Sequence, residues 1–552
     1  MTSHVLRGKY AKWASGTLAG AIMLGLAACN QSTKFQETAA VPASAAQQNP
    51  TATGKRLVLA VKGEPEQGFD PIKGWGGYGN LLFQSTLLTR DEHLNLTGDL
   101  ATKWELAPDR LTWTVTLRDG VKFADGQPLT AEDVAFTFET GRQEATGLDL
   151  TMLESARALD ARTVQFRLKK PQVTFTQKLV SVGIVPKHAY GVAYAEAPMG
   201  SGPYQFVSWS KGQQLIVEPN PHYYGDKPQF ERITFLFTKD DASLAAARSG
   251  QVQVAAVPAT LAGEVPSGMN RLEVKTVDNR GIMFPMVPAK GQKTSDGYEI
   301  GNDVTSDAAI RKAINIAINR QQLVAGVLNG HGTPAWGIAD GLPWDNLEQR
   351  LSDNDMAGAQ ALLKQAGWVT NAKGVLEKNG KEARVALLYF SDDTVRQALA
   401  LSVADMVKPL GIVFEVAGKT REEIARLKHS SAVLYGWGSH SPDEVYKLYA
   451  GSMAGKGHYN AGYYNNAAVN AHLDAAEKSL SLEASYPYWQ KAMWDGKQGF
   501  GMKGDAAWAW LVNLDHVYLV DKCLDIGPRQ IEPHGHGFSI TWNVQDWKWT
   551  CN

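Results

Sequence analysis

Charge of one sign is what this chain lacks most plainly. Fifty-five Lys and Arg stand against 56 Asp and Glu over 552 residues, a net of −1. No electrostatic footprint for nucleic acid follows from such a balance. Catalytic motifs are missing as well. There is no G-x-S-x-G, no H-E-x-x-H and no G-x-x-x-x-G-K-[ST], so the many Ser, His and Asp residues carry no spacing that marks an enzyme. An envelope hydrolase is therefore only a remote alternative. The apolar run Leu18–Leu26 is too short to span a bilayer. No internal repeat is evident. Cysteine is scarce, with three residues at positions 29, 523 and 551.

What is present is a long chain of ordinary globular composition, 44% hydrophobic and 20% charged. At this length two or three domains are expected. Arg7, Lys9 and Lys12 precede the short apolar run, and Leu26-Ala-Ala-Cys29 follows it. Residues 1–29 thus read as a secretory signal. The ending resembles a lipobox, which makes Cys29 the acylated N-terminus of a lipoprotein; the alternative is a signal peptide cut at Ala28 with an incidental cysteine. Residues 30–55, rich in Ala, Ser, Thr and Gln, read as a flexible tether. Export implies an oxidising compartment, so Cys523 and Cys551 can pair and pin the C-terminal tail; two separate buried thiols are the alternative.

The most informative stretch is Gly98–Phe138, GDLATKWELAPDRLTWTVTLRDGVKFADGQPLTAEDVAFTF. Trp113–Arg118 alternates as a strand, Asp119-Gly120 and Asp125-Gly126 signal turns, and Thr130 caps a helix with Asp133 in its first turn. The segment L-A-x-x-W followed by LRDGVKFADGQPLTAEDV resembles the signature of the family 5 solute-binding proteins, receptors of ABC importers for peptides and nickel. GSGPY (200–204), NPHYYG (220–225), the helix 307–320 and the helix 355–368 resemble further family segments. Along the helix 307–320, Ile310, Ala313, Ile314 and Ala317 share one face.

The resemblance implies an α/β fold with two lobes: a periplasmic-binding-protein fold of type II, in the large peptide- and nickel-binding class, with an extra subdomain in the first lobe. It covers about residues 56–520. The expected division is lobe I at 56–282, with the subdomain at about 99–199, lobe II at 283–504, and a return to lobe I at 505–552. Asn80–Leu88 reads as a core helix, and Pro186–Tyr190 as the start of another. The strands and helices between 383 and 416 suggest a mostly parallel sheet in lobe II. Trp508–Leu514 and Val517–Val520 read as strands of lobe I, which makes a two-strand hinge.

In the family, a loop after the first strand faces the solute. Here that region is GWGGYG (74–79), in which Trp75 and Tyr78 offer flat faces; a glycine-rich turn with packed aromatics is the equal alternative. The segment LYGWGSHSPD (434–443) is the sharper clue. Peptide-binding members carry W-x-x-D, whose carboxylate pairs with the ligand's α-amino group. This chain has Trp437 and then His440 in the acid's place, with Asp443 three residues on. Neutral imidazole cannot hold an ammonium but can ligate a transition metal. His534 and His536, in HGH, are weaker candidate ligands. Arg280 or Arg396 could clamp a carboxylate, though no motif places either.

These features imply a binding protein with no intrinsic cofactor. The favoured guest is a nickel or other transition-metal chelate, for example with histidine; the alternative is a di- or oligopeptide. The implied partners are ABC permease and ATPase subunits. A monomer held to the cell envelope or periplasmic face by its lipid is expected.

Overall fold

The computed structural model describes residues 56–78, 81–144, 148–535 and 538–551. The signal, Cys29, the tether and His536 lie outside them. Among the described residues no helix is long and apolar enough to cross a membrane.

Two large sheets carry the fold. Among the described residues, the first has seven strands in the order Met269–Val274, His516–Asp521, Val254–Val257, Arg56–Lys62, Arg232–Thr238, Gln214–Pro219 and Tyr204–Ser210. Arg56–Lys62 runs parallel to both of its neighbours. The second has six: Gly332–Pro334, Trp508–Leu514, Asn279–Met283, Ala432–Trp437, Arg384–Phe390 and Val413–Lys419. Only the pairings of Arg384–Phe390 are parallel; the other three are antiparallel. The expected mostly parallel sheet is therefore a mixed one. Its antiparallel half is built by hinge-side strands whose partners lie far apart in sequence.

A third, antiparallel sheet of four strands orders Ala101–Leu106, Thr112–Leu117, Thr163–Leu168 and Leu153–Ala158, with the helix Ala131–Glu144 packed on it. That helix opens as its residues suggest. Thr130 Oγ1 accepts from Glu132 N at 3.3 Å, and Asp133 Oδ2 accepts from Thr130 N at 2.9 Å, which satisfies donors the helix itself cannot. The helix Ala308–Ala317, capped by Asp307, buries Ile310, Ala313, Ile314 and Ala317 in the core of the second half. Each large apolar side chain buried this way contributes about 1.5–3 kcal/mol.

Three readings of the sequence need correction. Residues 81–87 form no helix. Their carbonyls are taken by other segments: Phe83 O accepts from Gly202 N at 2.7 Å, Ser85 O from Ile184 N at 2.9 Å, and Leu87 O from Ala101 N at 2.9 Å. The chain passes so close beneath GSGPY that a Cβ at Gly200 would lie 2.1 Å from Phe83 O. Pro186–Tyr190 is a hydrogen-bonded turn rather than the start of a helix. Trp508–Leu514 belongs to the second sheet, because its inward residues complete the apolar cores there.

The chain thus leaves the first sheet at Val274, enters the second at Asn279, and returns through Asp515 alone. The tail adds a third pass beside these two. Glu532 forms a parallel bridge with Thr276, with Val277 N donating to Glu532 O at 2.9 Å and Glu532 N to Lys275 O at 2.8 Å. Ile526 and Phe538 pack in the first core while Ile531 packs against the second. A disulfide joins Cys523 to Cys551, with Cα atoms 5.1 Å apart. It closes the tail around the fully buried Trp547.

Candidate functional site

A cavity of about 670 Å³ lies where the two halves face each other. The first half supplies Trp75, Tyr78, Asp149, Lys178 and Phe538; the second supplies Arg421, Trp437, Ser439, Asp443, Glu444, Lys447 and Tyr459.

The loop holding Trp75 is set by Asp70. Its Oδ1 accepts from Ile72 N at 2.9 Å, its Oδ2 accepts from Tyr190 Oη at 3.0 Å, and the turn closes through Gly74 at φ 107°. Only glycine adopts that backbone without strain. Trp75 packs edge-on against Phe69 at 4.9 Å and Phe538 at 5.6 Å between ring centroids. It is both a packed aromatic and a wall of the cavity. Tyr78 lies tilted over His534 at 6.3 Å. Burial and the nearby Glu444 hold its phenol well above the ordinary range.

The opposite wall begins where the strand Ala432–Trp437 ends. Trp437 N donates to Asn279 Oδ1 at 3.2 Å, and the Trp437 ring lies 5.2 Å from that of Tyr459. A Cβ at Gly438 would stand 2.1 Å from Val277 O, so the loop touches the hinge strand as closely as backbone can. The backbone N–H groups of Gly438 and Ser439 then donate to the Glu444 carboxylate. Asp443 Oδ2 pairs with Lys447 Nζ at 2.6 Å, and that ammonium lies 5.3 Å over the Tyr459 ring.

Charge in the cavity is close to balance. Burial, with Asp443 beside it, pushes the Glu444 carboxyl up to about 8. Burial, with Lys447 near it, brings the Lys178 ammonium down to about 8. Asp149 is held below the ordinary carboxylate range: burial opposes ionisation, but the Thr151 hydroxyl and Lys178 outweigh it.

Trp75, Tyr78, Trp437 and Asp443 therefore meet around one space. His440 does not join them. The turn presents Ser439 to the cavity and sends His440 behind the wall, where its ring is buried against Arg90 with Nε2 unpartnered. Burial and the Arg90 charge push it down to about 3, so the imidazole is neutral. His534 is taken up by the hinge, with Nδ1 on Asp278 and its backbone N donating to Gly438 O at 2.8 Å. Among the described residues no group of three or more His, Cys, Asp or Glu is arranged to hold a metal ion.

Arg280 and Arg396 lie against the backbone of Gly436, the first paired with Asp278 and the second with Asp393 at 2.5 Å. Neither lines the cavity; Arg421 does. Sequence reasoning missed Glu444, Lys447, Tyr459, Lys178 and Arg421. A signal existed for one of them, since Asp443 and Lys447 stand at the i, i+4 spacing that pairs opposite charges on a helix.

Comparison with known proteins agrees with this architecture. Residues 95–458 match the bacterial extracellular solute-binding proteins, family 5 middle region. Protein XP55 of Streptomyces lividans is 35% identical over 507 residues, covering 87% of this chain and 88% of its own. The oligopeptide-binding protein AppA of Bacillus subtilis is 28% identical, covering 77% of this chain and 83% of its own. Among solved structures, NikZ of Campylobacter jejuni in complex with Ni(L-His) aligns with a TM-score of 0.74 at 24% identity, over 89% of this chain and 99% of that one.

Proposed function

The chain belongs to family 5 of the bacterial extracellular solute-binding proteins, and from that membership we propose that it captures short peptides for an ABC importer. Two lobes, about 56–274 with the tail and 279–514, close on the solute, and the closed form presents it to permease subunits driven by an ATPase. The signal and lipobox at Cys29 support attachment to the envelope. The work is capture rather than catalysis.

One observation carries the choice of solute: Asp443 and Glu444 face the cavity together, between aromatic walls, with His440 turned away. Asp443 already holds Lys447, and burial leaves Glu444 poorly charged. An incoming ammonium would draw Glu444 into its ionised form and complete the neutralisation of the pair. Trp75, Trp437 and Tyr459 supply apolar faces for side chains of varied shape, and Arg421 is placed to meet a carboxylate.

Native mass spectrometry of the protein as purified tests this reading. Retained masses in the range of short peptides, lost in Asp443→Asn, are expected. A retained nickel–histidine mass, with nickel-dependent thermal stabilisation in free histidine that His440→Ala abolishes, would replace the peptide by a chelate.

A further inference from the structure

The two lobes also touch away from the cavity. The turn Val173–Phe175, which follows the four-stranded sheet of the first lobe, meets the end of the helix Ala467–Glu477 of the second. Thr174 Oγ1 donates to Glu477 Oε1 at 2.7 Å and to Oε2 at 2.9 Å, and Thr174 N donates to Oε2 at 3.2 Å. Thr174 is 1% exposed and Glu477 6%. Nothing in its own helix explains this carboxylate. It stands at the C-terminal end, where the helix dipole disfavours negative charge. The same end is gripped a second time, since Arg110 Nη1 donates to Lys478 O at 2.9 Å.

We propose that Glu477 and Thr174 form a latch between the lobes, separate from the solute cavity, which engages on closure and takes up a proton as it does so. Opening would separate residues 303 apart in sequence and return the carboxyl to water. With the two lobes in contact here, burial, with Asp443 adding to it, pushes Glu477 up to about 8, while the Thr174 donors and Lys170 oppose the rise. Asp474, Lys478 and Tyr446 line the small cavity beside it. In water a Glu carboxyl ionises near ~4.3. Closed-state affinity for the proton therefore exceeds open-state affinity, and closure loses this support as pH rises from ~4.3 towards about 8.

The inference rests on lobe closure and not on which solute is held. Small-angle X-ray scattering of the full chain between pH 5 and pH 8 tests it, with Glu477→Gln as a neutral stand-in and Thr174→Val as a variant that leaves the carboxyl in place. The native chain should expand as pH rises, with the closed-to-open ratio falling by about 400-fold between pH 5 and pH 8. Glu477→Gln should stay compact throughout, and Thr174→Val should expand at a lower pH than the native chain. Because Glu444 and Lys178 titrate in the cavity, the difference between native and Gln proteins is the readout. Equal pH dependence in both overturns the latch alone; a radius constant in every protein at every pH overturns closure with it. If the Gln variant does not fold, a Thr174→Val profile that matches the native one overturns the latch.

Discussion

At the scale of single residues, the site turns on a shift of three positions. His440 stands where the family resemblance leads one to expect an acid, yet Asp443 is the residue that reaches the cavity. The turn after Trp437 decides which one does, and it depends on Gly438. A methyl group there would meet the Val277 carbonyl at 2.1 Å, and overpacking of this kind costs about 1–3 kcal/mol. Gly438→Ala should lower the unfolding free energy by about that amount in denaturant titration and weaken solute binding at the same time, because it moves Ser439 and Glu444 together. That Asp443 could stand near Trp437 was legible in the sequence, though only as the alternative to His440. Its neighbours Glu444 and Lys447 were not, since their role depends on the direction of a seven-residue helix, Asp443–Tyr449. Lys178 and Arg421 had no legible mark, being long side chains brought in from distant segments.

At the scale of elements, periodicity was a good guide where one face of an element meets one core. The helix Ala308–Ala317 and the strand Thr112–Leu117 were readable because their buried positions recur at helical and strand spacing. It failed for 81–87, which is apolar because it is surrounded, with carbonyls bonded to residues more than a dozen positions away. Composition cannot separate that arrangement from a buried helix. The tail shows the same limit. Its cysteines announced a link, but not that the enclosed segment carries Glu532 and His534 into the hinge and Phe538 to the cavity. The disulfide closes a span of 28 residues, for which chain entropy gives about 3.6 kcal/mol. Cys523→Ser with Cys551→Ser should lose about that much stability and should also weaken solute binding. A loss of stability with binding unchanged would mean that the tail sets the fold and not the site.

At the scale of the whole molecule, two sheets share three adjacent passes of chain, and the cavity opens beside them. That plan was legible as two lobes, but the first crossing was set too late in the sequence, at 282 rather than near Lys275–Asp278, and the second too early, at 504 rather than at Asp515. The reason is physical: Asn279–Met283 and Trp508–Leu514 are wholly or nearly wholly buried strands, and a continuous apolar run does not say which sheet it joins. The central claim is that a peptide's free amino group is held by Asp443 and Glu444 inside this closed space. Removing one partner of a buried ion pair costs about 3–5 kcal/mol, or more than about a hundredfold in affinity. Calorimetric titration with a peptide recovered from the protein, free and N-acetylated, measures that directly. The account predicts that acetylation abolishes binding in the native protein; equal affinity for the two forms would contradict it.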